Sequence, residues 1–290
     1  MKHAYLILFH NQQDVTNRLI SAIDDSRNDI YIHVDKKVLQ QPVFRVQRAH
    51  LYFVENRIDV RWGDVSVVEA ELELMKAALQ QRENYAYLHL ISGVDMPLKS
   101  QDFIHSFFEQ HKGKEFIGFS QYDYRREVER KVQRYHLFAK AFRWEPTFSG
   151  FIKRSLRYVA IKFQELLNLK RNGHIEFKKG TQWVSITPSF ASFLVDKEED
   201  IKTIYRNTFC ADEIYKQTLC WHSPFREKVY NPEAEALGCM RMIGWEDGQL
   251  RDWEEKDYER LIHSNFLFAR KFNGDHIKVV NDILTHITNG

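Results

Sequence analysis

The chain has 290 residues, of which 43% are hydrophobic and 28% charged; this allows one large domain or two closely packed ones and argues against disorder. A net charge of +2 argues against nucleic-acid binding by the chain as a whole. Cys210, Cys220 and Cys239, an odd set without CxxC spacing, argue against a disulfide framework or zinc site and fit a reducing, cytoplasmic compartment.

"AYLILFH" (4–10) reads as a buried strand, its apolar run too short for a signal-peptide core or a membrane span. "DVTNRLISAIDD" (14–25) places Val15, Leu19, Ile20 and Ile23 at helical spacing. "DIYIHVD" (29–35) and "LYFV" (51–54) read as strands. "SVVEAELELMKAALQQ" (66–81) predicts a helix opened by a capping box of Ser66 with Glu69, with Val68, Leu72, Met75 and Leu79 on one face. "AYLHLIS" (86–92) and "EFIGFS" (115–120) are further strands. Strands alternating with helices predict a mostly parallel sheet covered on both faces, with ligands bound beyond the carboxyl ends of its strands. His10, Asp35 and "SGVDMP" (92–97) fall at those ends.

Residues 124–179 carry fifteen Lys and Arg against five Asp and Glu, a surplus of ten. Within them "IKRSLRYVAIKFQELLNLKRN" (152–172) predicts an amphipathic helix with Leu156, Val159, Phe163, Leu166 and Leu167 on one side. A solvated helix packed on the core accounts for this pattern; so does a surface docking to anionic lipid or a lipid-linked acceptor. Nucleic acid is disfavoured because no binding module accompanies the charge. Further on, "TQWVSIT" (181–187) is a strand, and Thr187 caps a helix with Pro188 at its first position. "LGCMRMIGW" (237–245) reads as a strand, "EKDYERLIHSN" (255–265) and "HIKVVNDILTHI" (276–287) as helices.

No P-loop, GxGxxG, GxSxG or HExxH motif is present. The thirteen histidines are scattered and suit surface or satisfied core positions. Asp35, followed by Lys36 and Lys37, suits either a loop cap or an acceptor for ribose hydroxyls. Trp62 precedes a helix and suits stacking on a base or sugar as well as core packing. "LFARKF" (267–272) sets Arg270 and Lys271 between aromatic residues, where fixed cations can neutralise a phosphate leaving group or simply face solvent. "FCADEIYKQTL" (209–219) places Asp212 and Glu213 at the head of a helix-like stretch, open to reading as metal ligands, a catalytic base or a charged helix start.

Taken in order, "AYLILFHNQ", "YIHVDKK", "VRWGDVSVVEAELELM", "YLHLISGVDMPLKS", "GTQWVSIT", "ADEIYKQTL" and "LFARKF" run from Ala4 to Phe272. Their order and spacing resemble the Core-2/I-branching β-1,6-N-acetylglucosaminyltransferases, glycosyltransferase family 14, which includes the peptide-O-xylosyltransferases. The resemblance implies an α/β fold of the GT-A-like glycosyltransferase type, with a mostly parallel Rossmann-like sheet flanked by helices. It divides a single 1–290 domain into a nucleotide-binding half (1–123), a basic helical segment (124–179) and an acceptor and catalytic half (180–290). It implies inverting transfer from a UDP-sugar, GlcNAc by the family majority, to a glycan or lipid-linked glycan hydroxyl. Xylose, glucose and galactose donors, or a non-catalytic nucleotide-sugar or glycan-binding protein, are the alternatives. Most GT-A enzymes hold the diphosphate through Mn²⁺ on a DxD motif, whereas this family uses an Arg and a Lys, so no metal or other cofactor is expected. "ISGVDMPL" offers only Asp95, and the "DWE" of Asp252–Glu254 lies too far along the chain to substitute.

By matching position, Leu8, Phe9 and His10 would line the uridine site, Asp35, Lys36 and Lys37 would hold the nucleoside end, and Trp62 would lie near the nucleotide-sugar. Glu213 falls on the catalytic base, with Asp212 capping or orienting its helix. Lys271 falls on the diphosphate lysine, with Arg251 by its distance, or Arg241 in "RMIGW", as its partner. Arg130 matches an acceptor-contacting arginine, although Glu127 stands where the animal enzymes have a lysine. The cysteine-rich, membrane-anchored form of the animal enzymes is absent, so the resemblance is to a soluble bacterial member making surface polysaccharide in the cytoplasm, peripheral to the inner membrane.

Overall fold

The computed structural model describes residues 1–81, 83–143 and 146–289; Glu145, one acid of the basic segment, lies outside them. The first strand, β1 (Lys2–Phe9), is followed by α1 (Gln13–Ile23), β2 (Asn28–Val34), β3 (His50–Phe53), α2 (Ser66–Gln80), β4 (Tyr85–Ser92), β5 (Asp95–Pro97) and α3 (Gln101–Gln110). Next come α4 (Arg125–Val132), α5 (Phe148–Leu166), β6 (Val184–Ile186), α6 (Pro188–Asp196), α7 (Glu198–Tyr205) and α8 (Tyr215–Trp221). The chain ends with α9 (Glu235–Cys239), β7 (Arg241–Ile243), β8 (Trp245–Glu246), β9 (Gln249–Leu250), α10 (Tyr258–Ile262), β10 (Phe268–Arg270) and α11 (Ile277–Asn289).

The main sheet runs β3-β2-β1-β4-β6, with β6 alone antiparallel. Alternation along β1 sends Ala4 and Leu6 to one face and Tyr5, Ile7 and Phe9 to the other. The first face packs on Leu72 and Met75 of α2, Phe190 of α6 and Tyr215 of α8; the second on Leu19 of α1, Phe108 of α3 and Ile283 of α11. Helices thus cover both faces, as predicted. A second sheet, β5-β10-β7, ties residues 95–97 to the C-terminal part of the chain.

Several local predictions are corrected. Ser66 does not cap α2: it opens the helix, and its Oγ accepts from Arg61 N (2.9 Å), while Asp64 Oδ2 accepts from Ser66 N (3.1 Å). Residues 115–120 make only isolated bridges, Glu115 with Val229 and Phe116 with Ser185. Their backbone serves close packing instead: a Cβ on Gly180 would lie 1.8 Å from Gly118 O. The stretch 237–245 starts as helix α9 before becoming β7. The Thr187 cap forms, its Oγ1 accepting from Phe190 N (3.3 Å). Three histidines are buried in the core, though not all are fully satisfied: His89 Nε2 meets His3 Nδ1 (3.0 Å), and His105, stacked on His3, bonds Asn28 (2.9 Å), while His3 Nε2 and His105 Nδ1 have no partner among the described residues. The cysteines are buried and free.

Candidate active site

β1, β2 and β4 end together, with Phe9 opposite Val34 and Leu8 opposite Ser92. Leu8 and Phe9 carbonyls accept from Gly93 N (3.0 Å) and Asp35 N (2.9 Å), which draws the loops after all three strands to one edge. His10 leaves that edge exposed, within electrostatic reach of Asp35, Lys37, Arg143 and Arg270. Asp35 is buried, and its carboxylate is held by Lys37 through the backbone N (2.9 Å) and Nζ (2.6 Å). Lys36 is exposed, its N bonded to Ile58 O (3.0 Å).

Lys271 arrives from the far end of the chain. Its Nζ lies 3.0 Å from Asp252 Oδ1. Asn273 donates to Asp252 (3.1 Å) and accepts from Gln12 (3.0 Å), so Lys271 is fastened to the loop just past His10. Asp252, too far along the chain to be grouped with Asp95 by sequence, is therefore brought to this edge. Asp95 itself is buried, bonded to Ser92 Oγ (2.6 Å) and 3.4 Å from Arg270 Nε; burial pushes its carboxyl above the ordinary value.

The arginines differ in what they are free to bind. Arg241 is buried and donates to the carbonyls of Cys239 and Val184 and to Ser185 Oγ; burial lowers it to about 10. Arg251 forms a two-point pair with Asp257 (2.6 and 2.7 Å) and meets Glu246 (2.8 Å). Arg270, next to Lys271, stacks on Trp183 (4.2 Å), and its Nε has no hydrogen-bond partner among the described residues. It also lies in electrostatic reach of Asp212.

Glu213 ends a single 3-10 turn, Ala211–Glu213, before α8. Gly180 N donates to its carbonyl (2.9 Å), and Cys210 N donates to Gly63 O (2.8 Å), which fixes the turn beside the Trp62 loop. Trp62 is exposed and edge-on to Phe209 (5.3 Å). The Glu213 carboxylate is half-buried, with Lys131 Nζ at 3.1 Å and Lys179 Nζ at 3.8 Å. Asp212 does not cap α8: its Oδ1 is shut from solvent with no partner among the described residues, and burial, then the charges of Glu213 and Glu71, raise its carboxyl to about 7. Below the turn, Glu71 accepts from Tyr215 (2.6 Å), Lys216 (2.5 Å) and Gln182 (2.7 Å).

A family model for the Core-2/I-Branching enzyme matches residues 3–270. The chain belongs to the Core-2/I-branching enzyme family. It is 24% identical to a mouse N-acetyllactosaminide beta-1,6-N-acetylglucosaminyl-transferase over 93% of this chain and 68% of that protein. It is 20% identical to xylosyltransferase oxt of Drosophila melanogaster over 88% of this chain, but spans only 30% of that protein. A human beta-1,3-galactosyl-O-glycosyl-glycoprotein beta-1,6-N-acetylglucosaminyltransferase shares 32% over 102 residues, 33% of this chain and 24% of its own length. A mouse xyloside xylosyltransferase 1 structure covers 95% of the chain and 98% of its own at a TM-score of 0.35 and 8% identity, a likeness that carries no weight for the site. As a family member, the chain is a glycosyltransferase.

In this Core-2/I-branching chain, Glu127 has a visible use. It pairs with Lys131 (2.7 Å) and Lys179 (3.3 Å) and accepts from Tyr122 (2.9 Å), so it holds the two lysines that flank Glu213. Arg130, on the same helix, points its Nε toward Glu165 of α5 (3.6 Å). Lys131 and Lys179 were not singled out as site residues by sequence; the adjacency of Lys131 to Arg130 was the available signal. Among the described residues, no group of three or more His, Cys, Asp or Glu is placed to hold a metal ion, and no helix is long and apolar enough to cross a membrane.

Proposed function

We propose that this family member moves a sugar, GlcNAc or xylose, from a UDP-sugar to a glycan hydroxyl by one in-line displacement with inversion, without a metal. The acceptor belongs to a free or lipid-linked glycan of the kind built into surface polysaccharide. The supporting observation is Arg270: it adjoins Lys271 on the donor edge and lies in electrostatic reach of Asp212, the neighbour of Glu213. In this reading Glu213 takes the proton from the acceptor hydroxyl as its oxygen attacks the anomeric carbon. UDP departs from the opposite face, and charge growing on the β-phosphate meets Lys271 and an arginine where other enzymes place a cation. His10, Asp35, Lys36 and Lys37 serve the nucleoside, Trp62 the nucleotide-sugar and Arg130 the acceptor side.

Replacing Glu213 with Gln tests the base. Turnover should fall by about 10²–10⁴ while UDP binding stays near wild type; wild-type turnover in this variant would remove Glu213 from the role. Activity lost in EDTA and restored by Mn²⁺ would remove the metal-free part. A thermal-shift panel of UDP-sugars names the donor, since a ligand bound only by the folded state raises its stability. No thermal shift with any UDP-sugar would instead favour a glycan-binding protein.

A further inference from the structure

Helix α5 is attached the wrong way round for a surface helix. A surface helix ordinarily turns its apolar stripe to the core. Phe148, Ile152, Leu156, Val159, Phe163 and Leu166 recur at helical spacing, and all six are exposed, Phe148 and Leu166 at 81% and 82%. The opposite side faces the protein and holds it by polar contacts. Arg157 donates to the carbonyls of Leu137 (3.0 Å) and Ala141 (2.7 Å), and Gln164 donates to Tyr135 O (2.9 Å) and accepts from Tyr135 N (2.8 Å). Of the helix, only Ile161 and Gln164 are buried.

Charge says what covers the stripe. Within α5, Lys153, Arg154 and Lys162 stand against a single acid, Glu165, while Arg157 is committed to the protein side. Lys153 and Arg154 make no ion pair or hydrogen bond among the described residues. The surrounding segment, 124–179, carries its surplus of ten positive charges. A second copy laid on the same face would bring these cations against one another, whereas an apolar stripe edged with Lys and Arg suits the boundary between headgroups and acyl chains of an anionic leaflet.

We propose that α5 is an in-plane membrane-binding helix that seats its outward apolar stripe in a bilayer containing anionic lipid. With its four cations and its length of 19 residues, it lies on the surface rather than crossing it. The helix is linked to the catalytic side through two neighbouring residues of α4: Arg130 reaches Glu165 of α5, and Lys131 reaches Glu213 (3.1 Å). Resting on the transfer reading above, this places Glu213 beside the membrane, where the hydroxyl of a lipid-linked glycan is presented.

Co-flotation of the full chain with vesicles of phosphatidylcholine, with and without phosphatidylglycerol, tests the surface. The wild type should float with the mixed vesicles and bind phosphatidylcholine alone at least about tenfold more weakly, with binding falling as salt rises. Phe148→Ser/Phe163→Ser/Leu166→Ser should lose about tenfold or more of the binding, with the melting temperature and turnover on a water-soluble acceptor unchanged. Lys153→Gln/Arg154→Gln should lose the preference for anionic vesicles. Equal binding by wild type and the triple-serine variant, or no flotation of the wild type, would overturn the proposal. So would a lipid-free dimer of the wild type that the serine variant abolishes, since a second copy would then own the stripe. Flotation reads α5 without turnover, so its failure is distinct from a failure of Glu213.

Discussion

Lys216 Nζ lies 2.5 Å from Glu71 Oε2, and neither side chain reaches solvent. The pair sits directly beneath the turn that carries Glu213, because Lys216 also donates to Asp212 O (3.1 Å). Breaking one partner strands a charge out of water. Lys216→Met should therefore cost about 3–5 kcal/mol in urea unfolding, and the Glu71→Leu/Lys216→Met double variant should lose less than the two single losses combined. The surviving fraction of Lys216→Met should show a lower kcat with little change in KM. Strict additivity of the two losses would show that the pair does not act as a unit.

The arginines separate by what each already binds. Arg241→Met leaves Val184 O and Cys239 O without their donor, so stability should fall by about 1–3 kcal/mol. Arg251→Met removes the two-point partner of Asp257, a buried carboxylate, and should cost about 1–3 kcal/mol, with turnover near wild type. Lys271→Ala and Arg270→Lys should lower turnover by about 10²–10³ and weaken UDP binding, with stability little changed for Lys271. If Arg251→Met lost turnover on that scale with no greater loss of stability, Arg251 and not Arg270 would be the partner of Lys271.

Asp212 makes stability respond to pH in the less common direction for an aspartate. Its folded value, about 7, stands above the ordinary 3.8, so the folded state holds the proton more tightly than the unfolded chain. That contribution is fully present below about pH 3.8 and is lost as pH rises to about 7. The urea midpoint of the wild type, relative to Asp212→Asn, should decline across this window. A constant difference would show that Asp212 titrates normally.

The buried histidines act oppositely. Burial lowers His3 to about 2 and His105 to about 4, from an ordinary 6.5. Their contribution is present above pH 6.5 and lost as pH falls through the folded values, because the unfolded chain takes up protons that the folded one refuses. His105→Gln should flatten the acid limb of a stability profile between about pH 6.5 and 4. Parallel acid limbs for both proteins would count against this cause.

What the sequence revealed follows from which interactions are local. Strands β1, β2 and β4 and helices α1 and α2 could be read because alternation and 3.6-residue spacing each need only a short window. The Thr187 cap was legible for the same reason. The Ser66 cap failed because a competing donor, Arg61 N, comes from the preceding loop. The stretch 115–120 misled because its apolar run is used to approach Gly180 and Val229, both distant in sequence. At the site, Glu213 and Lys271 came from motif order, whereas the lysines around Glu213 and the placement of Asp252 depend on tertiary contacts that no motif encodes. A helix is expected over 152–172 and forms over Phe148–Leu166, but periodicity alone does not say which side faces inward.

The order of strands in the main sheet also bears on how the chain folds as it is made. β4 pairs with β1 on one side, but its other neighbour, β6, begins 92 residues after the end of β4, at Val184. Until that segment emerges from the ribosome, the backbone of Leu88–Leu90 stays an unpaired edge on a strand that becomes next-to-last in the finished sheet. β5 likewise waits for β10. The N-terminal half is thus unfinished until the C-terminal half arrives, and synthesis passes through a stage that exposes a sticky strand.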